Sequence, residues 1–138
     1  AETGHLVLAT LHTNDAPQTI DRITDVFPSH QQPQIRQQLS MSLLAIISQL
    51  LIPREDRAGR IPVIEILKAD AGVRNLIRKG RTHEIYGLME TGKASGNWLR
   101  DDSLLDLVKQ GIITHQRGAE LARFPELFHD ALKAAKLI

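Results

Sequence analysis

Cysteine is absent from the 138 residues. That excludes disulfide frameworks and thiolate metal sites, and nothing points to an oxidising compartment. An excess of one charge is absent too: 17 basic residues stand against 16 acidic, for a net +1, far from the profile of a dedicated nucleic-acid binder. No polyanion partner is implied. The longest apolar stretch, Leu43 to Ile52, is interrupted by Ser48 and Gln49 and is too short to span a bilayer. A secretory signal needs a basic start and a longer apolar segment than Leu6 to Leu11, so none is expected here. No G-x-x-x-x-G-K-[ST] occurs either. Gly92-Lys93-Ala94 lacks the preceding glycine spacing and the following hydroxyl, and reads as a turn. Glu65 lies inside a strand rather than beyond its end, so no strand presents an acidic residue to magnesium in the usual way. The chain lacks the usual means of gripping a nucleotide by itself.

What is present is a globular composition, 42% hydrophobic, enough for one domain of ordinary size or two small ones. The chain opens Ala1-Glu2-Thr3-Gly4 rather than with methionine and enters an apolar run at once, which is the expectation for a fragment or a processed chain. That run, Leu6 to Leu11, is continuous rather than alternating and predicts a strand covered on both faces, as in a parallel sheet. Asn14 or Asp15 then caps a helix with Pro17 in its first turn, Ile20, Ile23, Thr24 and Phe27 on one face, and Pro28 at its close. A second helix is predicted from about His30 to Ser48, with Ile35, Leu39, Leu43, Ile46, Ile47 and Leu50 as one stripe.

The charged PREDRAGR stretch, residues 53–60, reads as the turn of a hairpin joining Gln49–Ile52 to a strand at Ile61–Leu67. Short helices are predicted at Ala71–Lys79 and Thr82–Glu90, with Gly92 to Asn97 as the candidate linker. Beyond Asp101 only helical patterns occur, with a stop at Gly111, then Thr114–Arg123 and Pro125–Leu137.

The chemistry-bearing cluster sits where the apolar run ends: HLVLATLHTNDAP, residues 5–17. If Leu6–Leu11 is a parallel strand, His12, Thr13 and Asn14 lie at its carboxyl end before a helix N-terminus, where open α/β sheets bind ligands and free N–H groups favour phosphate. Thr10 and His12 then hydrogen-bond a phosphate or its attacking water, and a cationic His12 stabilises developing negative charge. The competing reading is that Thr13, Asn14 and Asp15 only cap the helix and the histidines are packed. Spacing alone leaves both open.

AETGHLVLATLHTNDA followed by TIDRITDVFP resembles the histidine box and following helix of secretion and type IV pilus ATPases, most closely retraction ATPases of twitching motility, the PilT type. The similarity continues through QQPQIRQQLSMSLLAIISQLL and GVRNLIR and fades after about Arg123. It implies an α/β fold, the C-terminal part of a RecA-like core at residues 1–68, and an all-helical subdomain at residues 69–138. It also implies a homo-hexameric motor that hydrolyses ATP with Mg2+ to drive pilus retraction, cytoplasmic, at the inner-membrane base of the pilus machine, against a membrane platform protein. By the same resemblance His5, His12 and Thr10 are catalytic and Thr13 and Glu2 nucleotide-binding. Val73, Arg74, Asn75, Leu76 and Ile77 form the retraction-associated segment that couples hydrolysis to movement. Gly72 and Val73 depart from the usual alanine and isoleucine of that segment, which predicts looser packing. The phosphate loop and magnesium carboxylates of such motors would precede Ala1, so this fragment alone is expected to be inactive and to bind neither ATP nor Mg2+ tightly.

Related assembly-type ATPases carry a four-cysteine zinc insert after the helix corresponding to Ser40–Leu51; here Pro53–Arg60 fills that place without cysteine, which favours a retraction motor. The alternatives are a fragment of an assembly-type secretion or pilus extension ATPase, or a non-catalytic helical interaction module built on Asp101–Leu137. Nearly balanced charge after Ser103 argues against nucleic acid for that module, and the cluster Arg74, Arg78, Lys79 and Arg81 reads as a solvated helix end.

Overall fold

The computed structural model describes residue 1 and residues 3–138; Glu2, one of the predicted nucleotide-binding residues, lies outside the described residues. Helix α1, Ala16–Asp25, starts as its residues dictate. Asp15 is extended at φ −155°, its Oδ1 accepts the Gln18 N–H at 2.8 Å, and Pro17 occupies the first turn, where a missing N–H costs nothing. Ala16, Ile20 and Thr24 form its buried face, whereas Phe27 lies past the helix end and is exposed.

Helix α2, Gln32–Ser42, is shorter than predicted. It stops at Leu43, whose ψ of 129° leaves the helical region, and Ala45–Pro53 is strand β1. Leu43, Ile46, Ile47 and Leu50 therefore do not continue a helical stripe. Their run satisfies the helical period and the strand period at once, and pairing with β2, Arg60–Lys68, decides between them. Hydrogen bonds from Ala69 N–H to the Leu44 carbonyl and from Arg54 N–H to the Gly59 carbonyl, both 3.0 Å, bracket the hairpin. They place Ala45 opposite Lys68 and Pro53 opposite Arg60. In that register Ile46, Ser48 and Ile52 share the buried face with Val63, Glu65 and Leu67, while Ala45, Ile47, Gln49 and Leu51 face outward.

The predicted Leu6–Leu11 strand does not form: the only sheet among the described residues is this hairpin, and Leu6, Val7 and Leu8 are 75%, 60% and 89% exposed. A continuous apolar run becomes a strand only when a neighbouring strand satisfies its backbone.

The later helices follow their local signals: α3, Ala71–Lys79, closed by Gly80 at φ 66°; a 3-10 turn, Thr82–Glu84, leading into α4, Ile85–Thr91; then α5, Arg100–Lys109, α6, His115–Leu121, and α7, Pro125–Ala134. Gly111 at φ 68° ends the turn after α5, as its position predicts.

Two compact units result. One comprises residues 1–48 and 66–97; the other comprises residues 49–65 and 98–138. The expected linker, Gly92 to Asn97, ends where the chain passes between them, and Asn97 itself is buried, its Oδ1 accepting the Lys68 N–H at 2.8 Å. The division differs from the boundary expected at residue 68, because α3 and α4 belong to the same unit as residues 1–48. In the first unit Ile20, Leu67, Val73, Ile77, Ile85 and Met89 are all fully buried. The second is built on one cluster of Ile52, Val63, Leu104, Leu107, Ile112, Ile113, Phe128 and Leu132.

Candidate functional site

The polar segment at residues 12–19 is organised by the start of α1. Asp15 Oδ1 accepts from Gln18 N–H at 2.8 Å, and the Gln18 side chain returns the favour by accepting the Asn14 N–H through Oε1 at 3.1 Å. The first turn is thereby capped from both sides, in the manner of a capping box. Thr19, 7% exposed, donates its hydroxyl to the Asp15 carbonyl at 2.8 Å, and its Oγ1 also lies 2.7 Å from Thr13 Oγ1. A hydroxyl carries one proton, so with that of Thr19 given to the carbonyl, Thr13 is the donor to Thr19.

Helix capping at Asp15 is thus realised, but packing of the histidines is not. His5 and His12 are both exposed. His5 Nδ1 lies 2.9 Å from Thr3 Oγ1, whereas the His12 and Thr10 side chains make no hydrogen bond among the described residues. The segment leading into α1 therefore presents His12 outward, next to a Thr13 that is half-buried and held against the helix.

The second predicted group lies on α3. Val73, Leu76 and Ile77 are buried, Asn75 is half-buried, and Asp70 caps the helix by accepting the Val73 N–H at 2.9 Å. Arg74 turns away from solvent. Its Nη1 donates to the carbonyls of Ser40 at 2.5 Å and Met41 at 2.9 Å, and its Nε to that of Ala69 at 2.9 Å. Ser40 and Met41 belong to the last turn of α2, whose carbonyls have no intrahelical partner, and a guanidinium there satisfies them and complements the negative end of the helix. Arg74 thus differs from its neighbours Arg78 and Lys79, which are exposed as a solvated helix end should be.

Gly72 is exposed, with Leu88 of α4 beside it: a methyl on Gly72 would sit 3.1 Å from Leu88 Cδ1. The acceptors of Arg74 and the Thr19 hydroxyl were not foreseeable from motifs. Thr13 and Thr19 are six positions apart with no recognised pattern, and Arg74 reaches 33 and 34 positions back. The two predicted groups share one compact unit, but no hydrogen bond among the described residues joins them. No group of three His, Asp or Glu residues suited to a metal ion converges among the described residues.

Residues 1–123 match the family model described as type II/IV secretion system protein. The chain is 47% identical over 126 residues to the twitching motility protein of Neisseria gonorrhoeae, covering 91% of this chain and 34% of that one. It is 42% identical over 128 residues to the type IV pilus retraction ATPase PilT of Pseudomonas aeruginosa, covering 93% and 37%. A crystal structure of the pilus retraction motor PilT with bound ADP matches with a TM-score of 0.78 at 42% identity, over 91% of this chain and 35% of that one. The chain thus spans about a third of the length of the curated relatives it matches.

Proposed function

Because the chain belongs to the type II/IV secretion system protein family, which it matches over residues 1–123, we propose that it is the C-terminal portion of an ATPase motor that drives type IV pilus retraction. The observation that carries this reading is the joint 42% identity and TM-score of 0.78 to a retraction motor with bound ADP. In this reading the parent protein is a RecA-like ATPase that works as a homo-hexamer in the cytoplasm at the inner membrane, against a platform protein of the pilus machine. ATP is its substrate. The sequence holds no phosphate loop and the described residues offer no metal cluster, so in this reading the grip on ATP and Mg2+ comes from other parts of the parent.

His12 senses the terminal phosphate. It is exposed and uncommitted among the described residues, as a group that must meet a ligand has to be. His5 and Thr10 flank it on the same segment, and Thr13 and Glu2 lie at the nucleotide's edge. Residues 73–77 couple hydrolysis to movement through their seat on α2, since Arg74 ties α3 to that helix's end.

The test uses the full-length protein. His12→Ala is expected to lower ATP turnover about a hundredfold, the usual cost of one lost donor at a developing anion. Asn75→Ala, which removes no side-chain hydrogen bond found among the described residues, is expected to abolish retraction while nucleotide binding stays normal. Unchanged turnover in the first variant removes His12 from the site; lost nucleotide affinity in the second moves α3 into it. The isolated chain is expected to show no turnover.

A further inference from the structure

Helices α2 and α3 lie side by side and antiparallel, with an arginine at each end of the pair. Arg74 closes one end by donating to the last carbonyls of α2. Arg36, in the first half of α2, sits at the other end over Gly80, where a methyl would lie 3.5 Å from its Nε and 3.7 Å from its Cδ and Cζ. There it bonds no carbonyl. Backbone donors close α3 instead, the Gly80 N–H on the Ile77 carbonyl at 3.1 Å and the Arg81 N–H on that of Leu76 at 3.0 Å. The Arg36 side chain makes no hydrogen bond or ion pair among the described residues, and of its nitrogens only Nε is shielded from water. Its stem is thus packed while both Nη groups reach solvent.

The charge around this turn is uncompensated. Arg78 and Lys79 are exposed and, like Arg36, form no ion pair among the described residues, whereas Arg81 is engaged by Glu84, and the Asp21 carboxylate accepts the Thr82 hydroxyl at 2.8 Å. The negative end of α3 favours cations at this turn, yet it gives the Arg36 guanidinium no acceptor. A guanidinium with a packed stem and two outward Nη groups is preorganised for a bidentate oxyanion. No large apolar side chain of residues 28–40 or 71–97 is exposed, so nothing here can insert into a bilayer. We propose that the Gly80 turn, with Arg36 over it and Arg78 and Lys79 beside it, docks a carboxylate-rich segment of a partner protein. Such docking rests on this surface alone and holds whether or not the parent is a pilus motor.

The probe is a fluorescein-labelled hexaglutamate peptide, followed by fluorescence anisotropy against the full-length protein at low salt, with hexaglutamine as the uncharged control. Wild type is expected to bind hexaglutamate and not hexaglutamine, and to release it as salt screens the charges. Arg36→Gln is expected to weaken binding about tenfold, the usual worth of one charge-assisted hydrogen bond. Arg36→Lys should recover only part of that loss, because the planar fork is gone. Lys133→Gln, a change at an exposed lysine of α7, is expected to bind as wild type does. Equal affinity in wild type and Arg36→Gln, or an equal loss in Lys133→Gln, means that the peptide binds by charge elsewhere and overturns the docking surface. Absence of hexaglutamate binding overturns it as well, and pelleting of the protein with anionic vesicles in that case assigns the turn to lipid instead. Should Arg36→Gln fail to fold, Arg78→Gln/Lys79→Gln replaces it with the same expected loss, since both side chains are exposed and bond nothing among the described residues.

Discussion

The Arg74 guanidinium faces three backbone carbonyls, two of them at the end of α2, and a charged donor on otherwise unsatisfied acceptors is a strong local interaction. Its removal strands those carbonyls in a partly buried site. Arg74→Ala is expected to lower unfolding stability by about 2 kcal/mol, and Arg74→Lys to recover only part of it, because an ammonium lacks the planar fork that reaches all three. Urea unfolding of this chain measures both; wild-type midpoints for Arg74→Ala would show that the three bonds contribute nothing net. Under the proposed coupling role, a retraction defect in an Arg74 variant would mix lost stability with lost coupling, and Asn75→Ala is the cleaner probe.

Among elements, α6 approaches its neighbours closely. Gly118 is buried in α6, and a methyl there would lie 2.9 Å from Phe128 Cζ of α7 and 3.1 Å from Val108 Cγ2 of α5. Phe128 is itself 1% exposed and cannot swing out. Gly118→Ala is therefore expected to cost about 1–3 kcal/mol by overpacking. Combining it with Phe128→Leu, which withdraws the ring, should cost less than the two single changes added together, a coupling that a double-mutant cycle reads directly. Strict additivity would mean that α6 shifts to make room.

The hairpin turn behaves differently, being held by charge. Arg54 sits against Asp56 at 2.5 Å, and hydrogen bonding to the guanidinium lowers the Asp56 carboxyl below its ordinary value. A lowered folded value means the contribution is present above the unfolded carboxyl range, roughly pH 4, and is lost as pH falls through the folded value. The protection factors of the turn amides, which remove the intrinsic pH dependence of exchange, are expected to fall on acidification in wild type more than in Asp56→Asn. The effect should be small, because the pair lies in a surface turn.

At the scale of the whole molecule, the exposed apolar segment dominates. Leu6, Val7 and Leu8 stand largely in water with no strand beside them among the described residues, and such a backbone is a template for pairing. The isolated chain is expected to self-associate with rising concentration, and Leu8→Lys to shift it toward monomer. Light scattering over a concentration series checks this; a wild-type monomer throughout would show that the segment is protected in solution.

Wherever a signal acts within about one helical turn, the sequence was sufficient. The Asp15 cap, Pro17 in the first turn, the Gly111 stop, the span of α3 and the turn at residues 53–60 all depend on backbone dihedrals and hydrogen bonds between near neighbours, and each occurs where the residues place it. Family membership was legible for the same reason, as contiguous motifs. Tertiary structure alone decided the rest. The run from Leu43 to Ile52 suits helix and strand alike, and it becomes β1 because residues 60–68 pair with it and because Arg74, more than thirty positions away, satisfies the end of α2. Leu6 to Leu11 has the composition of a buried strand but no ladder to join, so it stays open. The meeting of the Thr13 and Thr19 hydroxyls, six residues apart, is likewise a property of the folded chain, since a side chain's partner is whatever the fold brings within reach.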